Sequence, residues 1–211
     1  MPISMTKRFF IDGEQGPLQA ELQEAQADRP VLVMCHPHPL YGGSMHDAVL
    51  QTAATSAQTL GLGWLRFNFR GVGDSAGTHL PSAAAPAETA DLAAALNWLT
   101  TNTSERTFIT LGYSFGAYVL CHSVEHANVD QRILVAPPNA VMQCPLDANS
   151  SPLDIVYGGA DDYVDPSAFT AASEATVHKL TAADHFFSGQ HHFLAQTLSR
   201  ILASQKKSIS G

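Results

Sequence analysis

Gly112-Tyr113-Ser114-Phe115-Gly116 brackets a serine with glycines between an apolar run and an apolar helical pattern. Upstream, Arg106 to Leu111 predicts a short buried strand of β-branched and aromatic residues. Downstream, Phe115 to Val124 predicts a helix. A serine on so sharp a strand-to-helix turn sits in a strained backbone conformation. The two glycines omit side chains that would clash there, and the turn pushes the hydroxyl out at the carboxyl end of a sheet. Ser114 is the candidate nucleophile for acyl transfer.

A serine hydroxyl is a poor nucleophile at neutral pH, so it needs a base, and the base needs an orienting acid. On this kind of turn they follow in the order Ser, Asp or Glu, His, each on a loop after a later strand. Pro152 to Tyr157 predicts a strand, followed by a loop from Gly158 to Pro166 that holds Asp161 and Asp162. Val177 to Leu180 predicts the next strand, and Asp184 and His185 follow it. Asp161 and His185 thus fall just past two successive strand ends, where they could converge on Ser114.

A tetrahedral oxyanion also needs fixed donors. One is expected from the Phe115 backbone N–H and one from the loop His36 to Gly43. Pro37 and Pro39 have no N–H, which leaves His38 and Leu40, with Tyr41 behind them. His36 and His38 have a His-x-His spacing, but no carboxylate cluster completes a metal site, so neither metal nor cofactor is expected. His36 is expected to be hydrogen-bonded under the serine turn, Asp74 and Ser75 to shape their loop, with substrate contact the alternative for Ser75, and His191 and His192 to open the last helix as solvated residues.

These loops need a scaffold. Lys7 to Ile11 and Pro17 to Leu22 flank a turn-rich joint, which predicts an antiparallel hairpin at a sheet edge. Val31 to Cys35 is a continuous apolar run, as in a strand buried on both faces. Ser44, with Asp47 three residues on, predicts a capping box for a helix that Gly61 closes. Gly63 to Phe69 predicts a strand, Pro86 to Asn102 a helix with Leu92, Leu96 and Leu99 on one face, and Gln131 to Ala136 another strand. Asp165-Pro166 predicts the start of a helix reaching Glu174, and Gln190 to Ser204 a last amphipathic helix. Strands alternating with helices imply an α/β fold, a doubly wound and mostly parallel sheet with helices on both faces and function at its carboxyl edge.

At 211 residues and 22.5 kDa the chain suits one domain over 1–211, with 205–211 a frayed polar tail. Its 11 Lys and Arg against 19 Asp and Glu give a formal charge of -8, which argues against nucleic acid as a partner. Cys35, Cys121 and Cys144 are an odd number at unrelated spacings and suit reduced thiols. No apolar run has signal-peptide or membrane-spanning length. A cytoplasmic protein without a membrane partner is the expectation.

Taken together, His36 to Ser44, Arg66 to Gly77, Gly112 to Tyr118, Gly158 to Pro166 and Asp184 to Phe187 resemble the α/β-hydrolases. The likeness is to the small bacterial serine hydrolases described as dienelactone-hydrolase-like, which carry His-Pro-His-Pro-Leu-x-Gly-Gly. The resemblance implies a minimal α/β-hydrolase fold without a lid domain, with Ser114 as nucleophile, His185 as general base and Asp161, in preference to Asp162, as its acid. Gly159 and Tyr163 depart from the family's pattern. Dienelactone hydrolases proper use a cysteine at the turn, so their substrate does not carry over. The implied activity is hydrolysis of small acyl esters. The alternatives are a thioesterase, lactonase or peptidase of the same fold, or a catalytically silent binding module.

Overall fold

The computed structural model describes residues 6–80, 85–104, 107–146, 151–172 and 174–204. The expected frayed tail, 205–211, lies outside them. Eight strands form one sheet in the order β1-β2-β4-β3-β5-β6-β7-β8. Strands β1 (Lys7–Gly13) and β2 (Gly16–Gln23) make the edge hairpin, and β2 runs antiparallel to β4 (Gly63–Phe67). From β4 onward all pairings are parallel: β3 (Val31–Cys35), β5 (Phe108–Tyr113), β6 (Val129–Val135), β7 (Leu153–Gly158) and β8 (Thr176–Leu180).

The apolar run of β3 lies between β4 and β5 and is buried throughout, as its lack of alternation requires. After β3 the chain steps to β4 on one side, then crosses to β5 on the other. Right-handed crossovers in opposite directions put helices on opposite faces. Accordingly α1 (Ala48–Thr59) packs with α4 (His191–Ser204), and α2 (Thr89–Asn102) packs with α3 (Phe115–His122). The face of α4 that carries Leu194, Leu198, Ile201 and Leu202 is buried, each side chain worth about 1.5–3 kcal/mol. The step from β4 to β5 makes the carboxyl ends of β3 and β5 a topological switch point, where ligands of open α/β sheets bind.

Several boundaries differ from expectation. Helix α1 begins at Ala48 with Asp47 as its cap, Asp47 Oδ1 accepting from Val49 N–H at 2.8 Å. Ser44 instead shapes the preceding turn, its Oγ accepting from His46 N–H at 3.4 Å, so no capping box forms. The segment after Asp165 makes only a 3₁₀ turn, Pro166–Ala171. Helix α2 starts at Thr89 and α3 ends at His122, while β5 runs on to Tyr113. Arg106, the expected first residue of that strand, lies outside the described residues. None of the three cysteines forms a disulfide; Cys35 and Cys121 are buried and Cys144 is half-buried.

Candidate active site

Register brings the pieces together before any side chain is considered. Cys35, the last residue of β3, pairs with Gly112 of β5, so the loop from His36 leaves the sheet beside the turn that holds Ser114. Gly158 at the end of β7 pairs with Leu180 at the end of β8. The Asp161 and His185 loops therefore start side by side.

The backbone at Ser114 has φ 53° and ψ -115°, a region that side-chain-bearing residues enter only under constraint. The constraint is close packing. A Cβ on Gly112 would stand 2.3 Å from the carbonyl oxygen of Gly116, and one on Gly116 would stand 2.1 Å from that of Cys35. No side chain fits at either place, so the glycine spacing is a consequence of α3 starting hard against β3 and β5.

His185 Nε2 lies 2.9 Å from Ser114 Oγ, and His185 Nδ1 lies 2.8 Å from Asp161 Oδ2. The second carboxylate oxygen of Asp161 accepts from the Tyr163 N–H at 2.9 Å. The Asp161 side chain is wholly buried, whereas Asp162 faces solvent. With Nδ1–H donating to the carboxylate, Nε2 carries the lone pair that the Ser114 hydroxyl faces.

One group of the site escaped sequence reading. The Tyr113 hydroxyl donates to the His185 carbonyl at 3.0 Å and ties the histidine loop to the residue before the serine. Burial, with Asp47, Asp161 and Asp184 nearby, pushes the Tyr113 phenol upward, so it stays protonated and able to donate. The x positions of a Gly-x-Ser-x-Gly turn are free in the pattern, so no sequence signal marked it.

The loop after β3 is fixed by His36. Its Nδ1 lies 2.7 Å from the Pro37 carbonyl oxygen and its Nε2 accepts from the Phe69 N–H at 3.1 Å. A Cβ on Gly116 would stand 2.9 Å from the His36 carbonyl oxygen, so His36 lies under the serine turn, and its ring bonds to the residue two past the end of β4. Burial lowers its pKa to about 4, only partly opposed by the Pro37 carbonyl, so the ring is neutral with its proton on Nδ1. In a trans peptide C=O and N–H point in opposite directions. Holding the Pro37 carbonyl therefore aims the His38 N–H away from His36.

Among the described residues neither the His38 nor the Phe115 amide has a protein acceptor. Leu40, also expected as a donor, is not free: its N–H donates to His38 Nδ1 at 3.2 Å. Its chain turn, Pro39–Tyr41, points the Leu40 and Tyr41 side chains into solvent. The His38 ring packs on Phe115, with centroids 4.8 Å apart, and burial followed by the neighbouring His79 lowers its pKa.

Both ring nitrogens of His36 and the Nδ1 of His38 are thus committed, and among the described residues no three His, Cys, Asp or Glu side chains converge on a metal position. Ser75 is structural, its Oγ donating to the Asn68 carbonyl at 2.7 Å and accepting from the Gln19 N–H at 2.9 Å. Asp74, on the same loop, accepts from the side chain of Gln19 in β2. His192 is exposed and His191 half-buried, with His191 Nδ1 lying 3.1 Å from Thr52 Oγ1. No described helix is long and apolar enough to cross a membrane.

No protein-family model matches the chain. It is similar to the structure of an α/β serine hydrolase homologue from Coxiella burnetii, with 32% identity over 96% of this chain and 100% of that one and a TM-score of 0.83. The chain belongs to the α/β-hydrolase superfamily. An α/β serine hydrolase without a lid from Xanthomonas campestris is 29% identical, with a TM-score of 0.84 and 96% of each chain covered. An uncharacterized protein of Rickettsia prowazekii is 31% identical over 134 residues, 62% of this chain, and the match spans about half of that protein, 55%. Such hydrolases place function at the carboxyl edge of the sheet, where Ser114, Asp161 and His185 lie in this chain.

Proposed function

We propose that the protein is a serine hydrolase that cleaves small acyl esters, with Ser114, His185 and Asp161 as its catalytic triad. The observation that carries this reading is the unbroken hydrogen-bonded line from Ser114 Oγ through His185 to Asp161, at 2.9 and 2.8 Å. It sits at the sheet edge where the superfamily keeps its chemistry.

In the first half-reaction Ser114 Oγ bonds to the acyl carbon while its proton passes to His185 Nε2, and Asp161 stabilises the imidazolium. The carbonyl oxygen becomes an oxyanion, held by the Phe115 and His38 N–H groups, which have no other acceptor among the described residues. Collapse breaks the C–O bond to the leaving group, whose oxygen takes the proton from Nε2. Water then repeats the sequence on the acyl-serine, giving one proton to His185 and releasing the acid and the free serine. His36 contributes as a positioning residue, because its grip on the Pro37 carbonyl both orients and polarises the peptide that donates at His38.

Ser114 is only half-buried, and the short Leu40-to-Gly42 turn beside it is open to solvent, which supports short, soluble acyl substrates over long lipids. The test is Ser114→Ala with short-chain esters: kcat/KM is expected to fall about 10⁴-fold or more with the fold intact. A fluorophosphonate is expected to form its adduct on Ser114 in the native protein; an adduct on another residue would overturn the assignment.

A further inference from the structure

Two of the loops that meet at Ser114 place an exposed aromatic side chain against the His185 ring. Tyr163, on the Asp161 loop, has its ring centroid 4.8 Å from the imidazole, and Phe186, the residue after His185, packs edge-on at 5.4 Å. They are 48% and 63% exposed, so neither belongs to the core.

Neither hangs on a slack segment. The Tyr163 N–H donates to Asp161 Oδ1 at 2.9 Å, and its carbonyl accepts from the Ala140 N–H at 3.1 Å. Asp184 Oδ1 accepts from the N–H groups of Phe186 at 3.1 Å and Ser188 at 2.8 Å. Phe187, next along, is wholly buried with φ 54°. The loop thus turns one phenylalanine in while holding its neighbour out. Fixed aromatic side chains left in water beside a reactive centre are anchors for a ligand.

Their position says which part of a ligand they meet. The carbonyl oxygen of a substrate faces the Phe115 and His38 amides, whereas the leaving oxygen must reach His185 Nε2 to take its proton. The first atoms of the leaving group therefore lie beside the imidazole, within one ring's reach of both side chains. Aromatic faces and edges favour another flat ring in offset or edge-on contact over a puckered one. Building on the triad reading above, we propose that Tyr163 and Phe186 form a clamp for the leaving group, and that the preferred substrates are esters of arylmethyl alcohols.

The experiment compares benzyl and cyclohexylmethyl esters of the same short acid. The two alcohols are alike in size, and the slightly greater acidity of benzyl alcohol acts equally in every variant, so the change in the ratio of their kcat/KM values on substitution reports ring shape and not leaving ability. A ratio of about five or more is expected for the wild-type chain. It is expected to drop to about one in the Tyr163→Ala/Phe186→Ala double variant and to persist in Tyr163→Phe, which keeps the ring. A wild-type ratio near one, or a ratio that survives in the double variant, would overturn the clamp. Ethyl ester turnover and fluorophosphonate labelling of the wild-type chain separate the two layers. If both are present while the ratio is one, the clamp alone falls; if both are lacking, the triad reading falls and takes the clamp with it.

Discussion

Two histidine–carboxylate pairs bridge the segments of β7 and β8, and each spans 24 residues of sequence. Asp154 and His178 lie within the strands, with Asp154 Oδ1 2.7 Å from His178 Nε2; Asp161 and His185 lie seven positions further along each segment (154 to 161 and 178 to 185), 2.8 Å apart. Spacing and distance do not tell the pairs apart. Location does. The inner pair is held in the ladder near the outer edge of the sheet, where Asp154 also accepts from the Gln131 side chain. The outer pair has passed the strand ends into loops, and a serine hydroxyl meets its free nitrogen. A third pair, His79 Nδ1 with Glu88 Oε1, is shorter than either at 2.6 Å, yet His79 Nε2 is buried with no hydrogen-bond partner among the described residues. A histidine beside an acid is thus a common structural device. It becomes a candidate base when the fold also brings a nucleophile to its other nitrogen.

The largest effect is expected at the outer acid. Asp161→Asn keeps the shape but favours the wrong imidazole tautomer, so kcat/KM on a short-chain ester is expected to fall about 10⁴-fold. Asp162→Asn, on an exposed neighbour, is expected to change kcat/KM less than about twofold and stability by no more than about 0.5 kcal/mol. Circular dichroism checks that both variants fold. If Asp162→Asn is the crippled one, the solvent-facing acid and not the buried one supports His185.

Much of this was legible in the chain because each signal had a local cause. The glycine spacing around Ser114 reports backbone contacts closer than any Cβ allows, and the unbroken apolar run of β3 reports burial on both faces. Asp161 and His185 could be placed because strand ends are marked by glycine and polar residues. What depends on distant pairing was not legible. Nothing in the sequence says that the Tyr113 hydroxyl reaches His185 or that His36 bonds to Phe69, since those partners are 72 and 33 residues away. The sequence pattern points to Ser44 as the α1 cap, and the structure uses Asp47. Both are good capping residues, and the path of the loop from β3 settles which of them sits at the helix start.

His36 is the counterexample to pairing, a histidine made useful by burial with no acid on its ring. The sign of its linkage is definite. Its folded pKa of about 4 lies below the ordinary histidine value of 6.5, so the unfolded chain binds the proton first as pH falls. The stability this residue contributes is whole above about 6.5 and drains away down to about 4, a loss on the order of 3 kcal/mol at 1.36 kcal/mol per unit. Urea unfolding at several pH values is expected to show a shallower decline over that window in His36→Gln than in the wild-type chain, although the variant starts less stable. Parallel curves would mean that the ring is not held neutral by the fold.

The smallest effect is expected at the inner pair, and it completes the comparison because only the address of the acid differs. Asp154→Asn leaves an oxygen of the same reach for the Gln131 side chain but removes the charge facing His178. With 27% of the His178 side chain and 13% of the Asp154 side chain exposed, water screens part of that loss. The cost in stability is expected to be about 1 kcal/mol, the scale of one net hydrogen bond. Activity per folded molecule is expected to change less than about threefold, against about 10⁴-fold at Asp161. Urea midpoints and kcat/KM measured on the same preparation test both halves. A large loss of activity without a loss of stability would show that the inner pair reaches the chemistry through the strands, and location would no longer separate the two.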